Sequence, residues 1–259
     1  MASLVWQKFN RVAAQYDQAS LLQQQSAHYL LSVMGKVLPQ SVWLDAGCGT
    51  GVLAKALAAQ SARVWAIDLA PDMLKSLEDD DRIQTILADI RHLPLADDML
   101  DGAVSNFALH WLGSGIVPEI MRVVQPGGTV WLAVPVQGSL SEVLERCPGF
   151  PLFEFEPAQA WLYQAGSAVQ WSEVRRFSQN YPQLKALLAA IRQMGGDHTG
   201  LTTGQHTEQP ASQNTSPRHQ LSLWKQWLSD PSPIDLSFEV LFLQLKKPAD
   251  DHGLAFLYE

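Results

Sequence analysis

The stretch Leu44-Asp45-Ala46-Gly47-Cys48-Gly49-Thr50-Gly51 ends an apolar run in an acidic residue and continues into three closely spaced glycines. Glycine has no Cβ and tolerates φ > 0, so such a loop lets the backbone touch a ligand. The dinucleotide fingerprint G-x-G-x-x-G/A requires a small residue at position 52, where this chain has Val52. Asp45, just ahead of the first glycine, would also aim a carboxylate at the space of a pyrophosphate. Like charges repel, so a cationic or zwitterionic ligand is expected.

S-adenosylmethionine has that character: its ammonium and sulfonium attract carboxylates, and its ribose hydroxyls donate to a further acid. Asp68 supplies that acid, ending the apolar run Val64-Trp65-Ala66-Ile67 at the position of a ribose-binding residue in a doubly wound sheet. Capping a helix at Ala70-Pro71-Asp72-Met73-Leu74 is the other role open to it; beside the glycine loop the ligand reading is preferred. Asp45, Gly47, Cys48 and Gly49 then take the methionine portion, and Leu69 and Met73 the adenosine faces. In Ala88-Asp89-Ile90, the aspartate can accept from an exocyclic amine while Ile90 packs on the ring, or Asp89 can serve as a cap. Asn106, leaving the next strand, can contact the ligand near its methyl group. His110 and Trp111 follow as substrate contacts or core-edge residues.

Methyl transfer from a sulfonium is an in-line displacement, in which holding nucleophile, methyl and sulfur collinear is worth up to roughly 7–11 kcal/mol. The sequence offers no Ser/His/Asp or Cys/His constellation. A carboxylate nucleophile, ionised at neutral pH with a pKa of about 3–4, needs no base, and a dry pocket favours the annihilation of opposite charges.

The elements that must position these residues alternate. Apolar residues at helical spacing over Phe9–Leu38 predict two helices. Strands are expected at Val42–Asp45, Arg63–Asp68, Gln84–Ala88, Asp101–Ser105 and Thr129–Val134, with helices to about Ala59 and Leu77 and a turn at Gln125-Pro126-Gly127-Gly128. Such alternation means an α/β fold, a mostly parallel, doubly wound sheet with helices on both faces. Beyond Val136, helices are expected at Glu142–Arg146, Pro157–Gln164, Pro182–Met194 and Gln220–Leu228, and strands at Val169–Tyr181 and Ser237–Lys246, the last antiparallel. The polar segment Gly195–His219 reads as a mobile insertion. Its His198, His206 and His219 lack ligand spacing, so no metal is expected. The run Glu78-Asp79-Asp80-Asp81 reads as a solvated turn. The chain divides at 1–39, 40–137 and 138–259: an N-terminal helical part, an α/β core expected to bind the cofactor, and a part that completes the sheet.

With 259 residues, 47% hydrophobic and 17% charged, one large core can be buried. A formal charge of -8 argues against a nucleic-acid backbone as main partner. No apolar stretch has the length of a membrane span, and Met1–Lys8 lacks the form of an export signal. Cys48 and Cys147 suggest neither disulfide nor metal site, so a reducing cytoplasm is expected.

Five segments carry a resemblance: Phe9-Asn10-Arg11-Val12-Ala13-Ala14-Gln15-Tyr16, the glycine loop, Ile67-Asp68-Leu69-Ala70-Pro71-Asp72-Met73-Leu74, Ser105-Asn106-Phe107-Ala108-Leu109-His110-Trp111 and Val136-Gln137-Gly138-Ser139-Leu140. The first and last are the more specific, and the glycine loop and Asp68 are common to class I methyltransferases at large. Together the chain resembles the malonyl-acyl-carrier-protein O-methyltransferases, which open biotin synthesis by esterifying the free carboxyl of a malonyl thioester. The resemblance implies a Rossmann-like class I methyltransferase fold, S-adenosylmethionine as cofactor, and an acyl carrier protein, or coenzyme A, as carrier of the substrate. It also implies that the N-terminal helices form a lid in which Tyr16 faces the cofactor or the malonyl carboxylate and Arg11 pairs with that carboxylate or braces the lid. Packing for Tyr16 and ordinary surface charge for Arg11 stay open. An acidic carrier calls for a basic patch, for which Arg175, Arg176, Lys185 and Arg192 are candidates if they are more than ordinary surface charges. A methyltransferase of another small acid or of a quinone precursor is the nearest rival. A non-catalytic cofactor-binding protein is the rival from another class, and Val52 disfavours a nicotinamide dehydrogenase.

Overall fold

A computed structural model of the chain describes residues 20–77, 79–146, 155–193 and 226–249. Seven strands form one sheet in the order β3-β2-β1-β4-β5-β7-β6. They are β1 (Val42–Ala46), β2 (Arg63–Asp68), β3 (Ile83–Leu87), β4 (Leu100–Asn106), β5 (Val124–Val136), β6 (Val169–Tyr181) and β7 (Ile234–Lys246). β1 to β5 run parallel to one another, while β7 runs antiparallel to both β5 and β6. The chain-terminal antiparallel strand is therefore an interior strand, and β6 forms the edge.

The parallel strands lie between two helical layers, and their sequences show why. Leu44, Ala46, Ile67 and Leu132 pack into one core, whereas Trp43, Val64, Ala66 and Ala133 pack into the other, as alternate strand residues must. Helices α1 (Leu21–Met34), α2 (Val52–Ala59) and α7 (Leu184–Gln193) cover the second of these faces. Helices α4 (Val117–Val123) and α6 (Ala158–Ala165) cover the first. The short helices α3 (Pro71–Leu74) and α5 (Ser141–Arg146) complete the connections. Trp161 of α6 is wholly buried beneath the sheet.

Two expectations are refined. The glycine-containing turn at 125–128 lies inside β5, where pairing with β4 jumps from Leu100–Val124 to Gly102–Thr129. Gly127 N–H donates to the Lys247 carbonyl at 2.9 Å, so a third segment holds this bulge in the sheet. Of the two N-terminal helices, α1 is present and the first lies outside the described residues, as do the 195–219 insertion and most of the helix expected at Gln220–Leu228, of which 226–229 is helical. Among the described residues, no helix is long and apolar enough to cross a membrane.

Candidate active site

Three adjacent parallel strands deliver polar residues to one edge: Asp45 from β1, Asp68 from β2 and Asn106 from β4. This is the carboxyl edge, where crevices form in open α/β sheets. The glycine loop crosses it from β1 to α2. Gly47 N–H and Cys48 N–H both donate to the Ile67 carbonyl, at 2.8 and 3.0 Å, tying the loop to β2.

Gly47 has φ +72, and a Cβ there would sit 2.2 Å from Ala108 Cβ and 3.3 Å from Ile90 Cδ1, so no side chain fits. Gly49 has φ +53, and its missing Cβ would meet nothing within 4 Å. The first glycine thus allows close packing and the second presents bare backbone to open space.

Asp45 is 1% exposed, and its Oδ2 accepts from Ala54 N–H at 2.9 Å, which fixes the first turn of α2. Burial raises its pKa to about 7, aided by the nearby Asp68 and opposed by the Ala54 N–H. Asp68 accepts from Gly49 N–H and from Ala70 N–H, each at 2.9 Å, one on each carboxylate oxygen. Burial raises its pKa too, against these hydrogen bonds. The turn-capping role and a ligand role coexist in Asp68, since a carboxylate has about four acceptor sites. Cys48 is a buried free thiol, pushed up by burial and by both aspartates, and serves as a small loop residue.

Other expected contacts divide. Ile90 packs beside Gly47, and Met73 of α3 is 1% exposed, with Leu69 between it and Asp68 in the chain. Ala88 N–H donates to the Asp68 carbonyl at 3.2 Å, which links the ends of β2 and β3. Asp89 adopts the cap role, accepting from Arg91 N–H at 2.9 Å and pairing with the Arg91 guanidinium, which lowers its pKa. The Asn106 side chain is held by α1: Ser26 Oγ donates to Oδ1 at 2.7 Å, and Nδ2 donates to the Gln23 carbonyl at 3.0 Å. The amide is thereby committed to positioning the helix.

After Asn106 the chain turns sharply. Phe107 takes φ 54, a left-handed conformation unusual for an aromatic residue, secured by its N–H to the Ala133 carbonyl at 2.9 Å. Strain of this kind clusters near functional sites, and nothing in the local sequence signals it. The turn places Phe107, Trp111 and Phe155 around His110, with ring centroids 6.3, 4.6 and 5.6 Å from the imidazole. Burial lowers the His110 pKa to about 3, so the ring is neutral at physiological pH.

A cavity lies between α1 and the glycine loop. Ser20, Gln23, Gln24 and Ala27 line it from the helix; Asp45, the loop from Gly47 to Thr50, and Asn106 line it opposite. The helix residues were absent from the sequence expectation, although their i, i+3, i+4, i+7 spacing defines one stripe. A buried acid in the cavity wall, a second, half-buried acid bonded to the loop, a bare-backbone loop and a polar helical roof suit a zwitterionic ligand with a sugar. They fit S-adenosylmethionine.

The proposed basic patch is not one surface. Arg175 and Arg176 are neighbours on β6 and therefore face opposite sides of the sheet. The Arg175 guanidinium lies 4.0 Å from the Tyr29 ring centroid and its Nε donates to Glu173 at 3.2 Å. Arg176 pairs with Glu142 and with Glu239. Lys185 lies on α7, exposed, and the Arg192 side chain lies outside what the structure describes. Tyr16 and Arg11 also lie outside the described residues. Among those described, no group of His, Cys, Asp and Glu could hold a metal ion; His198, His206 and His219 fall outside them.

Residues 44–132 match a family described as methyltransferase domain. The malonyl-acyl-carrier-protein O-methyltransferase of Pseudescherichia vulneris is 42% identical over 139 residues, 52% of this chain and only 55% of that relative's length. The one of Alcanivorax borkumensis is 31% identical over 259 residues, spanning 95% of this chain and 86% of its own. Among solved structures, phosphoethanolamine N-methyltransferase 2 of Haemonchus contortus, in complex with phosphomonomethylethanolamine and S-adenosylhomocysteine, superposes with a TM-score of 0.54 at 20% identity. That match covers 86% of this chain and 53% of the other. The fold is the Rossmann-like one of class I methyltransferases.

Proposed function

The chain belongs to the malonyl-acyl-carrier-protein O-methyltransferase family, and on that premise we propose that it esterifies the free carboxylate of a malonyl thioester on acyl carrier protein, the step that opens biotin synthesis. Malonyl-coenzyme A offers the same reacting carboxylate. The observation that carries the reading is the buried Asp45 in the wall of a cavity, with Asp68 bonded to the N–H of Gly49 in a glycine loop that presents bare backbone to that cavity.

Bound S-adenosylmethionine supplies an electrophilic methyl group on a sulfonium. Asp45, once ionised, pairs with the amino group of its methionine portion, at Gly47, Cys48 and Gly49. Asp68 keeps acceptor capacity for ribose hydroxyls while its present hydrogen bonds hold the loop. Leu69, Met73, Ala88 and Ile90 enclose the adenosine, while Asp89, held by Arg91, caps the turn beside it. Asn106 sets α1 over the site through Ser26 and Gln23.

His110, neutral within its aromatic surround, orients the acceptor without adding a charge to the pocket. Phe107, Trp111 and Phe155 keep water from the acceptor carboxylate, and a poorly hydrated carboxylate is the better nucleophile when charge is lost in the transition state. No residue is asked to remove a proton. Residues 1–39 act as the lid, with Tyr16 over the site and Arg11 pairing the second charge of the malonyl group or bracing the lid. The carrier's acidic surface meets local basic residues, Arg175 of β6 and the exposed Lys185 of α7 among them, although the chain itself carries -8. We place the reaction in the cytoplasm.

Single-turnover transfer from methyl-labelled cofactor tests the acceptor. Malonyl carrier protein and malonyl-coenzyme A should take label faster than free malonate or a quinone precursor. A preference for a free small acid would favour the neighbouring methyltransferase reading.

A further inference from the structure

We propose that the chain forms a two-fold dimer by pairing β6 antiparallel to β6 of a second copy, so that the two sheets become one. β6 ends the sheet, and among the described residues it is paired only with β7, along its whole length Val169–Tyr181. Its outer side carries a row of backbone donors and acceptors, a template for another strand.

The side chains select one register. Edge strands are commonly blunted with charge, lysine above all, but the centre of β6 carries both signs, Glu173 and Arg175, on either side of Val174. About a two-fold axis normal to the sheet, each residue opposes one of the same face. With the axis at Val174, Glu173 of each copy meets Arg175 of the other, and Trp171 meets Phe177. An axis at Glu173, Arg175 or Arg176 sets a charge against itself, and one at Ser172 sets Glu173 against Trp171. Of the registers centred between Ser172 and Arg176, only the one at Val174 opposes opposite charges, and symmetry forms that pair twice.

The local structure already holds these groups in place. Tyr29 of α1 donates its hydroxyl to Glu173 at 2.7 Å, and its ring lies 4.0 Å under the Arg175 guanidinium. Glu173 and Arg175 pair along their own strand at 3.2 Å, yet keep 35% and 46% of their side chains exposed for a counter-charge across the edge. Arg176, on the other face, is neutralised by Glu142 and Glu239, so it brings no unmet charge against Ser172 of the second copy. Val174 shares that face and is 49% exposed; at the axis it is covered by its own symmetry mate. A paired Arg175 is withdrawn from the carrier, which leaves Lys185 for that contact.

Sedimentation equilibrium of the full chain tests the pairing, with cooperative thermal unfolding as the check on each variant's fold. The parent chain should sediment at twice the mass of one chain. Glu173→Arg and Arg175→Glu should each weaken the dimer roughly tenfold to a hundredfold, because two attractive cross-strand pairs become repulsive. Placing both substitutions in one chain, or mixing the two single variants, restores opposite charges across the edge and should restore association. Val174→Lys, which sets two like charges at the axis, should leave a folded monomer. A parent chain that stays monomeric at its highest soluble concentration would overturn the proposal, and an edge taken by the carrier or by another part of this chain would give that result. A dimer indifferent to the charge reversals, or one that neither restoration recovers, would overturn it too.

Discussion

Asn106 and Ser26 join the end of β4 to α1: the Ser26 hydroxyl, fully buried, donates to Asn106 Oδ1 at 2.7 Å. The same amide donates to the Gln23 carbonyl, so one side chain fixes the helix at two points. Each such bond contributes about 0.5–1.5 kcal/mol. Asn106→Ala should therefore loosen α1 from the sheet, raising amide exchange across Leu21–Met34 and weakening cofactor binding roughly tenfold. Unchanged exchange in that helix would contradict the role.

Gly47 leaves no room for a methyl group against Ala108, at 2.2 Å, and has φ +72. Gly47→Ala should destabilise the fold by about 2 kcal/mol or more and abolish cofactor binding. Adding Ala108→Gly removes the clash but keeps the backbone strain, so thermal unfolding should show partial recovery. Full recovery would mean that conformation contributes nothing, and no recovery would mean the clash is elsewhere.

Asp45 gives cofactor affinity a pH dependence with a defined sign. Burial raises its pKa to about 7, so the folded chain keeps this proton where an unfolded chain, with a pKa of about 3.9, has lost it. Its contribution to stability is present below about pH 4 and fades as pH rises through about 7. Pairing with an ammonium needs the ionised form, so affinity should climb up to about tenfold per pH unit toward pH 7. The ligand's own amino group, ordinarily near 7.7–8.0, loses its charge above that range. Calorimetry across pH should give an optimum between about 7 and about 8, and Asp45→Asn should remove the acid limb.

His110 carries the opposite sign. Its pKa of about 3, caused by burial, lies below the value of about 6.5 for an unfolded chain. The unfolded state takes up the proton first, so this contribution to stability is intact above about pH 6.5 and is lost as pH falls toward about 3. Denaturant unfolding of His110→Phe should show a shallower acid decline than the parent chain. Parallel curves would mean that the ring is open to solvent.

Much of the sheet was legible because continuous apolar runs ending in Asp45 and Asp68 are local signals of strands buried on both faces. β2 has the expected bounds, Arg63–Asp68. The bulge inside β5 was not legible, since it depends on Lys247, far along the chain. For the same reason the partners of the Asn106 side chain were not legible, since Ser26 and Gln23 lie 80 and 83 residues away in sequence. The stripe on α1 had readable spacing, but nothing local says that it faces the glycine loop. The separation of Arg175 from Arg176 was readable from strand alternation alone. Asp89 was open between cap and ligand, and Arg91, two residues on, supplies the cap.

The central claim is carboxyl methylation of a malonyl thioester. Intact-mass analysis of malonyl acyl carrier protein incubated with the chain and S-adenosylmethionine should show the carrier gaining one methyl group in place of a proton. The gain should vanish on mild ester hydrolysis and be absent for an acetyl carrier, which has no free carboxyl. A malonyl carrier of unchanged mass beside a chain that binds the cofactor, or equal methylation of the acetyl carrier, would contradict the account.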